Sequence, residues 1–114
     1  MSDCLFCDIV EGKVPANIVY QDDSVVVFKD IRPRAPVHLL IISRKHIVSV
    51  LDIDPNDGVL VGQIFRVAAQ LAREHGIAES GFRVVVNVGP NAGQSVFHLH
   101  YHLLGGRQMS WPPG

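Results

Sequence analysis

Histidine recurs at every second position in the stretch SVFHLHYHLLGG, residues 95–106, as His98, His100 and His102. An imidazole can attack phosphorus, exchange protons near neutral pH or ligate a metal. If the stretch is a strand, all three rings leave the same face, rooted roughly 7 Å apart. Phe97, Leu99, Tyr101 and Leu103 then turn the other way and supply core, and the histidine face is left for solvent, metal or ligand. A single strand histidine is ordinarily just a half-exposed residue, whereas three in register argue for a site. Two chemistries compete. One is a catalytic zinc with an open position, against which stands the lack of a carboxylate or further histidine close in sequence. The other is covalent phosphoryl transfer, in which one ring attacks and the others orient it, bind the phosphate or protonate the departing group.

The segment NVGPNAGQS, directly upstream, holds two glycines, two asparagines, a glutamine and a serine. Its composition suits a wide hairpin connection, and equally a loop whose backbone N–H groups converge on an anion. Beside three histidines the second reading is preferred. Ser95 falls out of phase with His98 on a continuous strand, so a phosphate contact from it requires loop conformation there. Cys4 and Cys7, the only cysteines, stand in a C-x-x-C spacing. In a reducing compartment such a pair reads as a metal or redox motif, or as two small packed thiols, before it reads as a structural disulfide.

The elements that must position these groups follow from pattern. NIVYQDD and SVVVFKD are β-branched runs split by acidic turn residues, an antiparallel hairpin, and VHLLIIS is a more deeply buried third strand. In DPNDGVLVGQIFRVAAQLAREHG the period changes: Leu60, Ile64, Val67, Ala68 and Leu71 make an apolar stripe on one long helix ending at Gly76. FRVVVNVG and FHLHYHLL are two further strands, and residues 4 to about 11 suit a short helix. The expected fold is α+β, an antiparallel sheet of about five strands with one long and one short helix. At 114 residues the chain suits a single domain, 1–114. A formal net charge of -1 with 47% hydrophobic residues argues against broad capture of nucleic acid. With no stretch of roughly 20 apolar residues and no signal-like start, the expected setting is the cytosol, with no membrane association.

The triad HLHYHLL, the preceding AGQS, the run FKDIRPRAPVHLLIISRKH and the tail LLGGRQMSWPPG together resemble the histidine-triad superfamily, in its nucleotide-binding phosphoramidase branch. The resemblance implies an antiparallel sheet with helices on it, paired into a homodimer whose sheets join. It implies a nucleoside phosphoramidate hydrolase, active on purine nucleoside monophosphate conjugates through a nucleotidyl-histidine intermediate. Carried over, His100 is the nucleophile, His102 contacts the phosphate and assists the leaving group, and His38 supports the site. Asp30 matches the family's ribose ligand, although a turn aspartate at a strand end is its plainer reading. Phe6, Ile9, Phe28 and Ile31 resemble the base pocket, and each would serve equally as core. Asn87, Gly93, Gln94 and Ser95 match the phosphate loop. A departure lies in the tail, where Ser110 stands at a position that is often histidine in this branch. Cys4 and Cys7 resemble superfamily members in which C-x-x-C joins two distant histidines on a structural zinc, here His46 and His98. The same signature would serve a dinucleoside polyphosphate hydrolase or a nucleotidyl transferase, or a purine-nucleotide-binding interaction module with incidental catalysis.

Overall fold

The computed structural model describes residues 3–114. A short helix α1 (Leu5–Val10) precedes strands β1 (Ile18–Gln21), β2 (Val25–Lys29) and β3 (Val37–Ser43); the long helix α2 (Gly58–Glu74) follows, and β4 (Phe82–Val85) and β5 (His100–Gly105) close the chain. The strands form one antiparallel sheet in the order β1-β2-β3-β5-β4. The expected α+β architecture is therefore present.

The β1–β2 turn is built by Asp22, whose Oδ1 accepts the Ser24 and Val25 N–H groups at 2.7 and 2.9 Å. Its Oδ2 accepts from the Tyr20 hydroxyl and from Gln63 of α2, which ties the hairpin to the helix. These donors hold the Asp22 carboxyl down at about 2, against an opposing effect of burial.

Central strand β3 is buried along nearly its whole length because both sheet faces are covered. On one face Val25, Val27, Leu39, Ile41, Leu99, Tyr101 and Leu103 pack against Ile64, Val67, Ala68 and Leu71 of α2. Each fully buried aliphatic side chain there contributes roughly 1.5–3 kcal/mol. On the other face Val26, Phe28, Leu40 and Ile42 meet Phe6 and Ile9 of α1. The six-residue α1, too short to persist alone, is held by those two side chains and by Cys4, whose sulfur accepts the Cys7 N–H at its N-terminus.

A reciprocal cap closes the short 3-10 turn Pro55–Asp57 that leads directly into α2. The Asp54 carboxylate accepts the Asn56 N–H at 2.7 Å, and the Asp57 carboxylate in turn accepts the Asp54 N–H. Asp57 is buried and pairs with Lys45 at 2.7 Å, which anchors the segment next to His46.

Two expectations need correction. Strand β5 begins at His100 rather than Phe97, and residues 96–98 bend ahead of it. Phe97 therefore turns outward, 61% exposed, and contributes no core. The histidine face is also not open to solvent. α1 lies over it, leaving His98 wholly buried and His100 8% exposed.

Candidate functional site

Pairing of β5 with β3 sets Ile42 opposite His100 and Leu40 opposite His102, which places the histidines in mid-sheet. The His100 Nδ1 lies 2.7 Å from the main-chain oxygen of His98. A carbonyl can only accept, so Nδ1 carries the hydrogen and the lone pair of the neutral ring sits on Nε2. That is the form required of an imidazole nucleophile. Phe6 packs edge-on against the ring, with centroids 5.1 Å apart and planes at 88°.

His102 is tuned by a chain of hydrogen bonds. The Arg34 main-chain N–H donates to His38 Nδ1 at 3.0 Å, which assigns the His38 hydrogen to Nε2. That Nε2–H points at His102 Nδ1, 2.9 Å away, with the Asp30 carboxylate 3.4 Å off on the same side. His102 in turn keeps its hydrogen on Nε2, as a donor. Burial, helped by the neighbouring His100 and His38, pushes the His102 pKa down to about 4, so the ring is neutral at pH 7. His38 is also lowered, by burial, with Asp30 opposing.

A second cluster gathers three separate segments. Cys4 Sγ lies 3.2 Å from His98 Nδ1, Cys7 Sγ 3.2 Å from His46 Nδ1, and the two Nδ1 atoms 3.2 Å from each other. All four ligand atoms fall within 4.8 Å of one another. His98 Nε2 donates to the Ser43 carbonyl at 2.6 Å, leaving the Nδ1 lone pair facing the sulfurs. Two thiols and two imidazole nitrogens at these separations fit a closed tetrahedral zinc site.

Asp30, His38 and His102 also converge within 4.8 Å. Their chemistry differs, because a cation on His38 Nε2 would force the hydrogen onto Nδ1, where it would oppose the Arg34 N–H. The trio is thus a hydrogen-bonded relay, whereas the cysteine cluster presents lone pairs.

Asp30 takes its turn reading, since its Oδ1 accepts the Arg32 N–H, while its Oδ2 faces His38. Phe6, Ile9 and Phe28 are buried together beneath the histidines, while Ile31 stands 93% exposed beside them in sequence. Asn87 is half-buried in the segment after β4. Gly93 takes φ 82°, a conformation that favours glycine, and closes a turn over Pro90–Ala92. Gln94 staples the loop: its oxygen accepts from Gly89, and its amide donates to the Val48 and Val96 carbonyls. Ser95 is in loop conformation and lines a cavity of about 490 Å³ with Cys4, Cys7, His46 and Val48. Ser110 reaches β4 through its carbonyl, which accepts from Arg83 at 3.0 Å. Sequence reasoning missed the Ser43 carbonyl and the Arg34 amide. No side-chain signal marks them, since every residue carries a main-chain carbonyl and every residue but proline a main-chain N–H.

An antiparallel five-stranded sheet with alternating histidines on its penultimate position defines a histidine-triad protein, and the HIT domain family matches residues 11–109. The chain belongs to that family. It is 43% identical over 112 residues to an uncharacterized HIT-like protein of Synechococcus elongatus, covering 98% of this chain and 97% of the relative. Among solved structures, a HIT family hydrolase from Legionella pneumophila superposes with a TM-score of 0.96 at 50% identity, covering 98% of this chain and 100% of that one. A zinc-bound histidine triad family protein from Mycobacterium smegmatis superposes with a TM-score of 0.79 at 34% identity, covering 92% and 76%.

Proposed function

We propose that the protein, acting over 1–114 as one histidine-triad domain, is a nucleoside phosphoramidate hydrolase that works through a nucleotide bound to His100. The observation that carries this reading is the 2.7 Å bond from His100 Nδ1 to the His98 carbonyl, which leaves Nε2 as nucleophile. In the first half-reaction His100 Nε2 bonds to phosphorus as the P–N bond breaks. The departing nitrogen, held by a hydrogen bond from His102 Nε2–H, takes one proton from solvent water and leaves as the amine, and His102 keeps its ring hydrogen. In the second, water attacks the same phosphorus, the phosphorus–His100 bond breaks to restore the neutral His100 ring, and the water proton is released to solvent. His38 and Asp30 act on His102 through the relay. The HIT family hydrolase likeness supports hydrolysis over mere binding.

The substrate read from the site is a purine nucleoside monophosphate joined to an amine. Asp30 takes the ribose hydroxyls, Phe6, Ile9, Phe28 and Ile31 the base, and Asn87, Gly93, Gln94 and Ser95 the phosphate. Gln94 serves by shaping the loop, given its three internal bonds. Zinc is held by Cys4, Cys7, His46 and His98, and its part is to fix those ligands in place. The zinc-bound relative and the convergent lone pairs support this. A homodimer is supported by the short edge strand β4 and by Phe65 and Phe82, 51% and 39% exposed. Among the described residues no helix is long and apolar enough to cross a membrane.

Amine release from an adenosine phosphoramidate tests the reaction. Wild type turns over, and His100→Ala loses activity by at least about 10³-fold while still binding AMP. A folded wild type that binds AMP without turnover would leave a nucleotide-binding module instead. Metal analysis of chelator-free protein is expected to find about one zinc per chain; a metal-free preparation would refute the zinc assignment.

A further inference from the structure

The cysteine–histidine cluster is joined to the nucleophile along two independent arms. The first runs through α1. Cys4 and Cys7 bracket Phe6, whose buried ring lies 5.1 Å from the His100 ring, 6.0 Å from His98 and 5.4 Å from Phe28. Fixing both sulfurs therefore fixes the wall against which His100 rests.

The second arm runs through His98 itself. Its ring is held at Nε2 by the Ser43 carbonyl, 2.6 Å away, and at Nδ1 within the cluster. The carbonyl of that same residue accepts the His100 Nδ1–H at 2.7 Å. Any rotation of the His98 unit moves the group that decides which nitrogen of His100 bears the lone pair.

A simple staple would be expected to hold the main core together. The larger core, under α2, includes none of Cys4, Phe6, Cys7, His46 and His98. Its fourteen buried residues are held by strand pairing and by the helix stripe, so it is expected to outlast loss of the cluster.

We propose that the metal-binding cluster is a positioning device for the nucleophile: with zinc bound to Cys4, Cys7, His46 and His98, His100 is locked in its Nδ1–H tautomer against Phe6. This rests on the zinc assignment above and goes beyond a purely structural role. None of the four ligands is a catalytic residue; they act through His98 and Phe6.

The test removes zinc from the whole protein with a chelator, confirms retained helix and sheet by circular dichroism, and reads His100 by long-range proton–nitrogen-15 correlation. Loaded protein is expected to show one His100 tautomer, protonated at Nδ1. Metal-free protein is expected to show both tautomers, with kcat for adenosine phosphoramidate lower by about 10- to 100-fold, KM nearly unchanged, and both effects reversed by added zinc. A folded, metal-free protein that keeps a single tautomer and full kcat overturns the proposal. Phe6→Leu, assayed with its zinc content verified, decides the matter if the metal-free chain unfolds. It is expected to lose about 2- to 10-fold in kcat, the equivalent of one aromatic edge contact, and to mix the tautomers. Unchanged kcat and tautomer in that variant overturn it equally. Protein that binds no zinc at all refutes the zinc assignment itself, an outcome distinct from a zinc whose removal leaves His100 undisturbed.

Discussion

Three histidines on one stretch of chain hold their single ring hydrogen in places set by different partners, two of them main-chain carbonyls and the third the His38 ring. His98 gives Nε2–H to Ser43, His100 gives Nδ1–H to His98, and His102 is left with Nε2–H by the His38 bond to its Nδ1. The residue types and their spacing were legible in the sequence. Their tautomers were not, because Ser43, His98 and Arg34 contribute carbonyl or amide groups that every amino acid possesses. His38 is the one link in this chain that a side-chain substitution can test. His38→Ala removes the donor to His102 Nδ1 and is expected to lower kcat by about 10- to 100-fold, with a smaller effect on KM. Equal loss in AMP affinity would show instead that His38 serves binding. Asp30, beside it, was read as a ribose ligand from resemblance, and its 3.4 Å approach to His38 adds an electrostatic part that sequence spacing did not reveal.

At the level of elements, the periodicities foretold the long helix and all five strands. The start of β5 was misplaced. Strict alternation from Phe97 onward continued the strand by three residues, whereas the chain bends there to turn His98 into the cluster and Phe97 into solvent. A site that needs two adjacent histidines on different duties breaks the strand that a simple period predicts. The short helix was expected but its place over the histidine face was not, since the apolar pair Phe6 and Ile9 in a six-residue segment gives little period to read. The end of β5 carries a sharper constraint. A Cβ on Gly105 would come within 2.5 Å of Ile77 Cδ1 and 3.0 Å of its Cβ. Gly105→Ala is therefore expected to cost about 1–3 kcal/mol in urea unfolding. Adding Ile77→Val should recover part of that loss, and no recovery would locate the strain elsewhere.

Over the molecule as a whole, two covered sheet faces divide the labour: the α2 side builds the larger core, and the α1 side builds the site. That division makes the protein sensitive to acid in a predictable direction. His102 has a folded pKa of about 4 against an ordinary value of 6.5, so the unfolded chain binds more protons between those values. Stability is then full above pH 6.5 and falls as pH drops toward 4. Asp22, held at about 2 against 3.8, adds a further loss below 3.8. Urea midpoints at neutral and mildly acidic pH should differ more in wild type than in His102→Asn, and equal differences would remove His102 as a source. The larger features, from composition through sheet to family, were legible because they rest on side-chain pattern; the metal coupling was hidden because it runs through packing between residues far apart in sequence. The central claim is covalent catalysis by His100. It is tested most directly by mixing the protein with an adenosine phosphoramidate, quenching in alkaline denaturant and weighing the intact chain. A chain heavier by one nucleoside monophosphate, mapped to His100 and missing in His100→Ala, is the expected result. Turnover with no such adduct at any quench time, or an adduct that persists in His100→Ala, would contradict it.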